Sequence, residues 1–258
     1  MSQLTIPDLP DKVVLVTGAS SGIGAAVARA FGAQGARVGV HYHSTADGAK
    51  AVAKDIVAAG GEAFVVQGDL SRSQETRRIV DATAEHFSRL DGLINNAGHM
   101  LGRVAYADMT DEHFDEVINL NARSVVMASQ AAIPWLKKSG GGFIINTSSV
   151  AARNGGRNGA GLYGATKAFV SNVTRGLARE LVDSNIRVNT VAPGIVDTPF
   201  HGRYSGADLL KQMVSVVPLG RPATAEECVG AYLFLASPSL SSYIIGQVIE
   251  VNGGQFMP

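Results

Sequence analysis

The sequence predicts an α/β protein with a parallel sheet, organised as one domain over residues 1–258. Short β-branched apolar runs alternate along the chain with helix-forming stretches of ten or more residues, the pattern of βαβ units. Polar and glycine-rich turns follow several of the strands, at the carboxyl ends where parallel sheets bind ligands. No composition break, linker or internal repeat divides the chain. We therefore expect a single ligand-binding domain.

Composition narrows the function classes. The 258 residues are 46% hydrophobic and 17% charged, with 22 basic and 22 acidic side chains. This balance gives no basic surplus for nucleic acid or anionic lipid. The start of the chain lacks the pattern of a signal peptide, and no apolar run approaches the roughly 18 residues of a membrane span. The single cysteine, Cys228, excludes an intrachain disulfide and a cysteine-rich metal site. We expect a cytoplasmic protein without metal, nucleic-acid or membrane partners.

The first strand is followed directly by a glycine-rich turn and a helix. Residues 12–17 form the strand, and residues 25–31 begin the helix. Glycines in this context let the backbone approach a pyrophosphate, which the free N–H groups of the helix N-terminus can bind. A plain left-handed turn is the structural alternative. The loop residues predicted to bind a dinucleotide are Gly18, Ser20, Ser21, Gly22, Ile23 and Gly24.

Further strands are predicted over residues 37–43, 62–67 and 92–98, with helices over residues 47–59 and 72–87. The end of the second strand bears on the choice of cofactor. An acidic residue there would bind the ribose hydroxyl of NAD and repel the phosphate of NADP. No carboxylate occurs before Asp47, whereas Ser20, Ser21, His43 and Ser44 could donate to a phosphate. The sequence therefore favours NADP over NAD.

The second half continues the alternation. A long buried helix is predicted over residues 111–138, with Thr110 as its N-cap and Asn121 in a structural role at its middle. Residues 143–149 form a strand, residues 150–162 a polar loop, and the next helix runs from Tyr163 to about residue 182. Strands follow over residues 186–191 and 244–251, with a helix over residues 225–236. Residues 199–217 form an insertion with helical potential in its second half, a candidate lid.

Tyr163 and Lys167 are the candidate reactive pair. They are four residues apart and share one helix face. A nearby ammonium favours the phenolate and so brings a phenol closer to a working pKa. Ser149 lies fourteen residues upstream, at the end of a buried strand. Together these groups could move a proton on and off a carbinol oxygen, although an exposed helix pair is the alternative reading of Tyr163 and Lys167 alone.

Five motifs, in order and spacing, resemble the short-chain dehydrogenase/reductase family over essentially the whole chain. They are Thr17-Gly18-x-x-x-Gly22-Ile23-Gly24, Asn95-Asn96-Ala97-Gly98, Ser149, Tyr163-x-x-x-Lys167 and Pro193-Gly194-x-x-x-Thr198. The resemblance implies a Rossmann-like, doubly wound parallel sheet of about seven strands with helices on both faces. It also implies a homotetramer, with a homodimer as the alternative.

The resemblance assigns roles to individual residues. Ser149 would orient the carbonyl, Tyr163 would act as the acid or base, and Lys167 would lower the tyrosine pKa and hold the nicotinamide ribose. Asn121 would belong to a proton relay, which replaces the structural role suggested by the residues alone. Ser148 adjoins Ser149, but alignment of the strand favours Ser149. Beyond the glycine loop, the expected cofactor contacts are His43, Ser44, Asp69, Leu70, Asn96, Ala97, Gly98, Tyr163, Lys167, Pro193, Gly194, Ile195 and Thr198.

The activity implied is NAD(P)(H)-dependent, reversible hydride transfer between nicotinamide C4 and a ketone or secondary alcohol. In character the chain is similar to 3-oxoacyl-carrier-protein reductases and to sugar or polyol dehydrogenases. The alternatives are a non-catalytic dinucleotide-sensing module and a nucleotide-sugar epimerase. An acyl-carrier-protein partner would need a basic patch near the cleft, for which Arg123, Arg153, Arg157 and Arg203 are available.

Overall fold

A computed structural model describes residues 5–258, apart from the side chain of His201. Residues 1–4, part of the start on which the expectation about a signal peptide rests, lie outside the described residues. The first half alternates strictly between strands and helices. Its elements are β1 (Val13–Val16), α1 (Gly22–Ala33), β2 (Arg37–Tyr42), α2 (Ala46–Ala58), β3 (Glu62–Gln67), α3 (Ser73–Phe87) and β4 (Gly92–Asn95).

The second half adds three strands and most of the irregular structure around the ligand edge. Its helical elements are a 3-10 turn (Tyr106–Asp108), α4 (Asp111–Ile118), a π-turn (Asn119–Arg123), α5 (Ser124–Lys138), α6 (Ala151–Asn154), α7 (Gly161–Leu181), a second 3-10 turn (Val182–Ser184), α8 (Pro199–Tyr204), α9 (Ala207–Val214), α10 (Glu226–Ala236) and α11 (Pro238–Ser241). Its strands are β5 (Gly142–Thr147), β6 (Ile186–Pro193) and β7 (Val248–Val251).

The seven strands form one parallel sheet in the order β3-β2-β1-β4-β5-β6-β7. The central strands β1 and β4 are buried at every position, as expected for strands covered on both faces. The strand order reverses between β1 and β4, and the carboxyl edge at such a reversal is where open α/β sheets bind ligands. The predicted α/β, Rossmann-like fold is confirmed.

Each face of the sheet has its own hydrophobic core. One core packs α1, α2 and α10 on the strands through side chains such as Phe31, Ile56 and Tyr232. The other packs α3, α5 and α7 through side chains such as Ile79 and Leu136. No helix in residues 5–258 has both the length and the apolar character needed to cross a bilayer.

A buried polar chain fixes α7 against the sheet. Asn95 donates to Asn146 at 2.9 Å, and Asn146 donates to Thr174 of α7 at 2.8 Å. The Thr174 hydroxyl in turn lies 2.7 Å from that of Thr190 on β6. Because buried polar groups without partners are costly, this chain favours one position of α7. That position determines where Tyr163 and Lys167 point.

Several predicted elements differ from the structure; the last strand, predicted from residue 244, begins at Val248. The long helix over residues 111–138 is interrupted by the π-turn, which inserts extra backbone around Asn121. The loop over residues 150–162 contains the short helix α6. The insertion over residues 199–217 is helical in both halves, as α8 and α9. The Thr110 cap is confirmed, because its hydroxyl accepts from the N–H of His113 at 3.2 Å.

Candidate active site

A cavity of about 1050 Å³ opens at the carboxyl edge of the sheet, across the β1–β4 reversal. Every residue that we predicted for cofactor binding lines it, as do three of the four predicted catalytic residues. The catalytic residues on its wall are Ser149, Tyr163 and Lys167. Asn121 is fully buried behind the wall.

The glycine loop is shaped for close approach of a ligand. A Cβ atom at Gly24 would lie 2.3 Å from the carbonyl oxygen of Gly18 and 2.4 Å from the Asn96 amide nitrogen. Only glycine therefore allows this turn, which leaves the N-terminus of α1 facing the cavity. The Thr17 hydroxyl accepts from the N–H groups of Asn96 and Ala97 at 2.9 and 3.0 Å. The loops after β1 and β4 are thereby held together.

His41 supports the same loop, a role that the sequence did not reveal. Its Nδ1 atom accepts from the N–H of Gly18 at 3.0 Å, and its Nε2 atom lies 3.1 Å from the carbonyl oxygen of Gly68. Because Nδ1 accepts, the proton must be on Nε2, which donates to Gly68. Burial lowers the pKa of His41 to about 4. The imidazole is therefore neutral at physiological pH.

The loop after β3 presents Asp69 and Leu70 to the cavity. Asp69 accepts from the N–H and the hydroxyl of Ser71 at 2.9 and 2.7 Å. Burial acts to raise the pKa of Asp69, but these hydrogen bonds, with His43 and Arg72 nearby, hold the pKa below its usual value. At neutral pH this carboxylate is ionised and can accept from a donor on a ligand.

Tyr163, which is partly exposed, and Lys167, which is buried, lie together at the floor of the cavity. Burial raises the pKa of Tyr163 to about 12, although a hydrogen bond from Ser149 acts in the opposite direction. Burial also lowers the pKa of Lys167 to about 8. The Lys167 ammonium nitrogen lies 5.6 Å from the centre of the Tyr163 ring and donates to the Thr147 carbonyl at 2.8 Å.

Burial opposes the lowering of the tyrosine pKa that we expected from Lys167. Burial dominates both side chains, because it disfavours the charged form of each. The two pKa values are displaced away from each other, from 10.0 upwards for Tyr163 and from 10.5 downwards for Lys167. The result is a neutral phenol beside an amine that titrates near physiological pH.

The two adjacent serines have different surroundings. The Ser148 hydroxyl is buried, donates to the Lys167 carbonyl at 2.8 Å and lies 2.7 Å from the hydroxyl of Ser171. Ser149 instead hydrogen bonds to the Tyr163 phenol. The geometry therefore places Ser149 at the candidate reacting oxygen and makes Ser148 an anchor between β5 and α7.

Asn121 lies in the π-turn and contacts the backbone after β4. Its amide accepts from the N–H of His99 at 2.9 Å and donates to the carbonyls of His99 and Val117 at 2.8 and 2.9 Å. A Cβ atom at Gly98 would lie 2.8 Å from Asn121 Oδ1 and 2.9 Å from Lys167 Nζ. Because Gly98 has no side chain, Asn121 and Lys167 can both approach the backbone that lies between them.

The segment after β6 closes the opposite wall. Pro193, Gly194, Ile195 and Thr198 all line the cavity. A Cβ atom at Gly22 would lie 3.3 Å from Thr198, so this segment faces the glycine loop directly. The two walls therefore form a slot of the kind that an extended dinucleotide would occupy.

Helix α8 covers the end of the cavity near Tyr163 and His99, which we call the substrate end. The Phe200 ring lies 5.6 Å from the Tyr163 ring and 6.0 Å from the His99 ring, measured between centres. Tyr204 contacts both Phe200 and His99. These aromatic rings form an apolar wall beside the Tyr163 ring.

The four arginines considered for a basic patch do not cluster as a group. Arg153 forms an ion pair with Glu250 at 2.8 Å, with the two side chains only 25% and 10% exposed. Arg157 and Arg203 line the cavity, whereas Arg123 is exposed elsewhere. Arg103 and His99 also line the cavity. The sequence did not single them out, because neither belongs to a recognised motif.

The fold and this site define a dinucleotide-dependent oxidoreductase. The glycine cradle fits a pyrophosphate, and the Ser149, Tyr163 and Lys167 side chains fit proton exchange at an oxygen. Comparison with known proteins identifies the family. The family described as "Enoyl-(Acyl carrier protein) reductase" matches residues 18–255. The chain belongs to the short-chain dehydrogenase/reductase family.

Three similar proteins illustrate the range of the family. A 3-oxoacyl-[acyl-carrier-protein] reductase of Synechocystis is 37% identical over 249 residues, covering 96% of this chain and 98% of the relative. The crystal structure of the NADH-dependent reductase A1-R', responsible for alginate metabolism, superposes with a TM-score of 0.90 at 38% identity, covering 97% of this chain and 99% of the other. The structure of a short chain dehydrogenase from Burkholderia cenocepacia in complex with NADP superposes with a TM-score of 0.89 at 36% identity, covering 96% of this chain and 98% of the other.

These relatives support NAD(P)-dependent oxidoreduction and do not favour a sensing module or an epimerase. The cofactor of this chain is therefore a nicotinamide dinucleotide. The relatives bind either form of that dinucleotide, so they leave the choice between NAD and NADP to the chain's own residues.

Proposed function

We propose that this chain is an NADP(H)-preferring reductase or dehydrogenase of ketones and secondary alcohols, with Tyr163 as general acid and base. The observation that carries the proposal is the contact between Ser149 and the Tyr163 phenol at the floor of a cavity lined by the dinucleotide loop. A ketone oxygen placed beside both hydroxyls would accept two hydrogen bonds and could receive the phenol proton. We further propose that the whole chain is one dinucleotide-binding domain and works in the cytoplasm.

The bound dinucleotide would supply the hydride chemistry. The protein's own residues would do the rest. Gly18, Gly22 and Gly24 would bind the pyrophosphate, and Lys167 would bind the nicotinamide ribose. Ser149 would orient the substrate oxygen, and Tyr163 would donate or accept its proton. Burial holds the phenol protonated, so it is ready to donate in the direction of ketone reduction.

A proton that leaves Tyr163 must be replaced. Lys167 has a pKa of about 8 and so can gain or lose a proton near neutrality. Asn121 bonds to the backbone of His99 and is separated from Lys167 by Gly98. We propose that Lys167 and Asn121 connect the tyrosine to solvent in a proton relay.

The preference for NADP rests on the end of β2. His43, Ser44 and Thr45 line the cavity there, and none of them is acidic. These side chains can donate to a 2′-phosphate, and no carboxylate in that segment would repel one. Steady-state kinetics with NADPH and NADH on the same ketone tests the preference. A kcat/KM ratio in favour of NADH would overturn it.

We also propose that the chain assembles as a homotetramer, with a homodimer as the alternative. One observation supports self-association. Helix α7 exposes Ala165, Ala168 and Phe169 to solvent, and Phe169 is 44% exposed. Contiguous apolar surface of this kind is typical of contact faces. Light scattering coupled to size-exclusion chromatography tests it, and a monomer would contradict it.

A further inference from the structure

The substrate end of the cavity carries an excess of positive charge that the proposed reaction does not use. Arg103, Arg157 and Arg203 all line the cavity. Arg203 contacts His99 at this end, and Arg103 donates to the backbone carbonyls of Arg157 and Tyr204. In the part of the chain that the structure describes, none of the three guanidinium groups forms an ion pair with a carboxylate. The arginines that do pair, such as Arg153 and Arg221, have carboxylate partners within 2.8 Å.

The three arginines differ in what their donors do. Arg103 is committed to structure: it donates to the carbonyls of Tyr204, Arg157 and Asn158 and to the Ser205 hydroxyl, at 2.6 to 3.2 Å. It therefore adds charge to the wall but has few donors to spare. Arg157 is exposed, and only its backbone carbonyl takes part in the bond to Arg103.

Arg203 contacts a residue that cannot neutralise it. Its Nη1 atom lies 3.1 Å from Nε2 of His99, and the Tyr204 hydroxyl contacts the other side of the same imidazole. Burial, together with the charge of Arg203, lowers the pKa of His99. The imidazole is therefore neutral and accepts one N–H of Arg203. A guanidinium has five such donors in a planar fork, so most of them remain for a ligand.

The acidic side chains on the cavity wall do not balance this charge. Asp69 is bonded to Ser71 near the end of β3, on the cofactor side. Glu116 of α4 lines the cavity but forms an ion pair with none of the three arginines. At the substrate end, three positive charges therefore face one negative charge. Such an imbalance raises the local concentration of anions.

We propose that Arg157 and Arg203 form an anion subsite, and that the substrate is a small carbonyl compound carrying a carboxylate. This inference rests on the proposed function, because it adds a second binding point to the same reaction. Paired N–H donors of a guanidinium match the two oxygens of a carboxylate, which is the strongest arrangement open to these side chains.

The aromatic wall sets the layout of such a substrate. The Phe200 ring contacts both the Tyr163 ring and the His99 ring, so it lies between the proton donor and the Arg203 guanidinium. A substrate with its carbonyl at Tyr163 and its carboxylate at Arg203 would pass along this ring. The two functional groups must therefore be several bonds apart, which favours 4- or 5-oxo acids over 2-oxo acids.

Matched pairs of ligands test the subsite. The probes are 5-oxohexanoate and its methyl ester, titrated into the full-length protein with oxidised cofactor bound, with calorimetry as the readout. No reaction takes place under these conditions, so the measurement reports binding alone. We expect the acid to bind at least tenfold more tightly than the ester, with an advantage that shrinks as salt is raised. Equal binding of the two, or no binding of the acid, would overturn the proposal.

Variants assign the effect to the two arginines. Arg203→Met and Arg157→Met should each reduce the ratio of the affinity for the acid to the affinity for the ester severalfold. In the double variant this ratio should fall to about one. Arg203→Lys should retain part of the ratio, because it keeps the charge without the fork. Arg179→Met removes the same charge from an exposed position on α7 outside the cavity, and its ratio should match that of the unmodified protein. A ratio unaffected in the double variant would also contradict the subsite.

The two proposals fail in different ways. If neutral ketones are reduced but oxo acids gain nothing, the anion subsite is wrong and the proposed function stands. If no ketone, acid or ester is reduced with either cofactor, the proposed function is wrong. Preference for an acetoacetyl thioester on acyl-carrier protein over both small probes would replace the small oxo acid with an acidic protein partner, and would overturn the subsite as stated.

Discussion

The buried imidazole of His41 holds the backbone of Gly18, through a hydrogen bond of 3.0 Å from the Gly18 N–H to Nδ1. This bond exists only while Nδ1 carries no proton. Burial lowers the pKa of His41 to about 4 and so maintains that state. The first glycine of the phosphate-binding loop therefore depends on a neutral histidine from the neighbouring strand.

His41 should make the fold sensitive to mild acid. Its pKa is 6.5 in an unfolded chain and about 4 in the folded protein, so between these values the unfolded state binds more protons. Stability must then fall as the pH is lowered through this window, by about 3 kcal/mol in total. We expect urea titrations to show a shallower fall between pH 6.5 and pH 4 for His41→Asn than for the unmodified protein.

The same variant should weaken cofactor binding about tenfold at pH 7.5, because the Gly18 N–H loses its acceptor. Fluorescence titration of bound NADPH measures this. His113→Asn, at a partly exposed position on α4, is the matched control and should alter neither property. An acid profile that is identical for His41→Asn and the unmodified protein would show that His41 carries no proton linkage.

Tyr163→Phe removes the proposed proton donor while keeping the ring that packs on Phe200. We expect kcat to fall by about 10²- to 10⁴-fold, the usual contribution of general acid–base catalysis. The affinity for NADPH should change little. Turnover assays and cofactor titration on one preparation measure both quantities, and near-normal turnover would rule out Tyr163 as the acid.

The burial of Lys167 is predicted to lower the free energy of unfolding of the protein. Its pKa falls from 10.5 to about 8 on burial, so the charged form is disfavoured by about 3 kcal/mol below pH 8. Stability should therefore rise as the pH increases from 8 to 10.5. Lys167→Met removes this cost but leaves the Thr147 carbonyl without its donor, which costs about 1–3 kcal/mol.

The net expectation for Lys167→Met at pH 7 is an unfolding free energy that is unchanged or up to about 2 kcal/mol higher. Turnover and cofactor affinity should both fall. Chemical denaturation at pH 7 and pH 10 measures the stability, with Lys50→Met on the exposed side of α2 as control. A loss of stability at pH 7 well beyond 2 kcal/mol would mean that burial costs this lysine little.

The neighbouring serines should separate function from folding. Ser149→Ala should lower kcat about 10²- to 10³-fold with little change in stability, since Ser149 bonds to the Tyr163 phenol. Ser148→Ala should instead lower the unfolding free energy by about 1–3 kcal/mol, because it removes buried hydrogen bonds to Lys167 and Ser171. The reverse pattern in denaturation and turnover assays would exchange the two roles.

The sequence predicted the parts of the fold that depend on local patterns. The strand, glycine turn and helix around Gly18 follow from residue types and spacing alone. Asn121 illustrates what local patterns miss: nothing in residues 111–138 shows that the helix widens into a π-turn there. The pKa of Tyr163 was also out of reach, because the spacing to Lys167 reveals a neighbour but not how deeply both side chains are buried.

The substrate end needed the structure for a different reason. His99, Arg103 and Arg203 are separated by up to 104 positions in the chain, and they meet only because α8 folds back over the loop after β4. No short motif contains them. Long-range contacts of this kind are decided by tertiary packing, which the pattern of a single segment does not encode.

Arg103 has a mechanical consequence. Its guanidinium joins the end of α8 to the loop before α7, through Tyr204, Ser205, Arg157 and Asn158. A displacement of α8 or of the loop before α7 would therefore break hydrogen bonds of the same guanidinium group. The positions of these two segments should for that reason be coupled, so that a change in one is felt by the other.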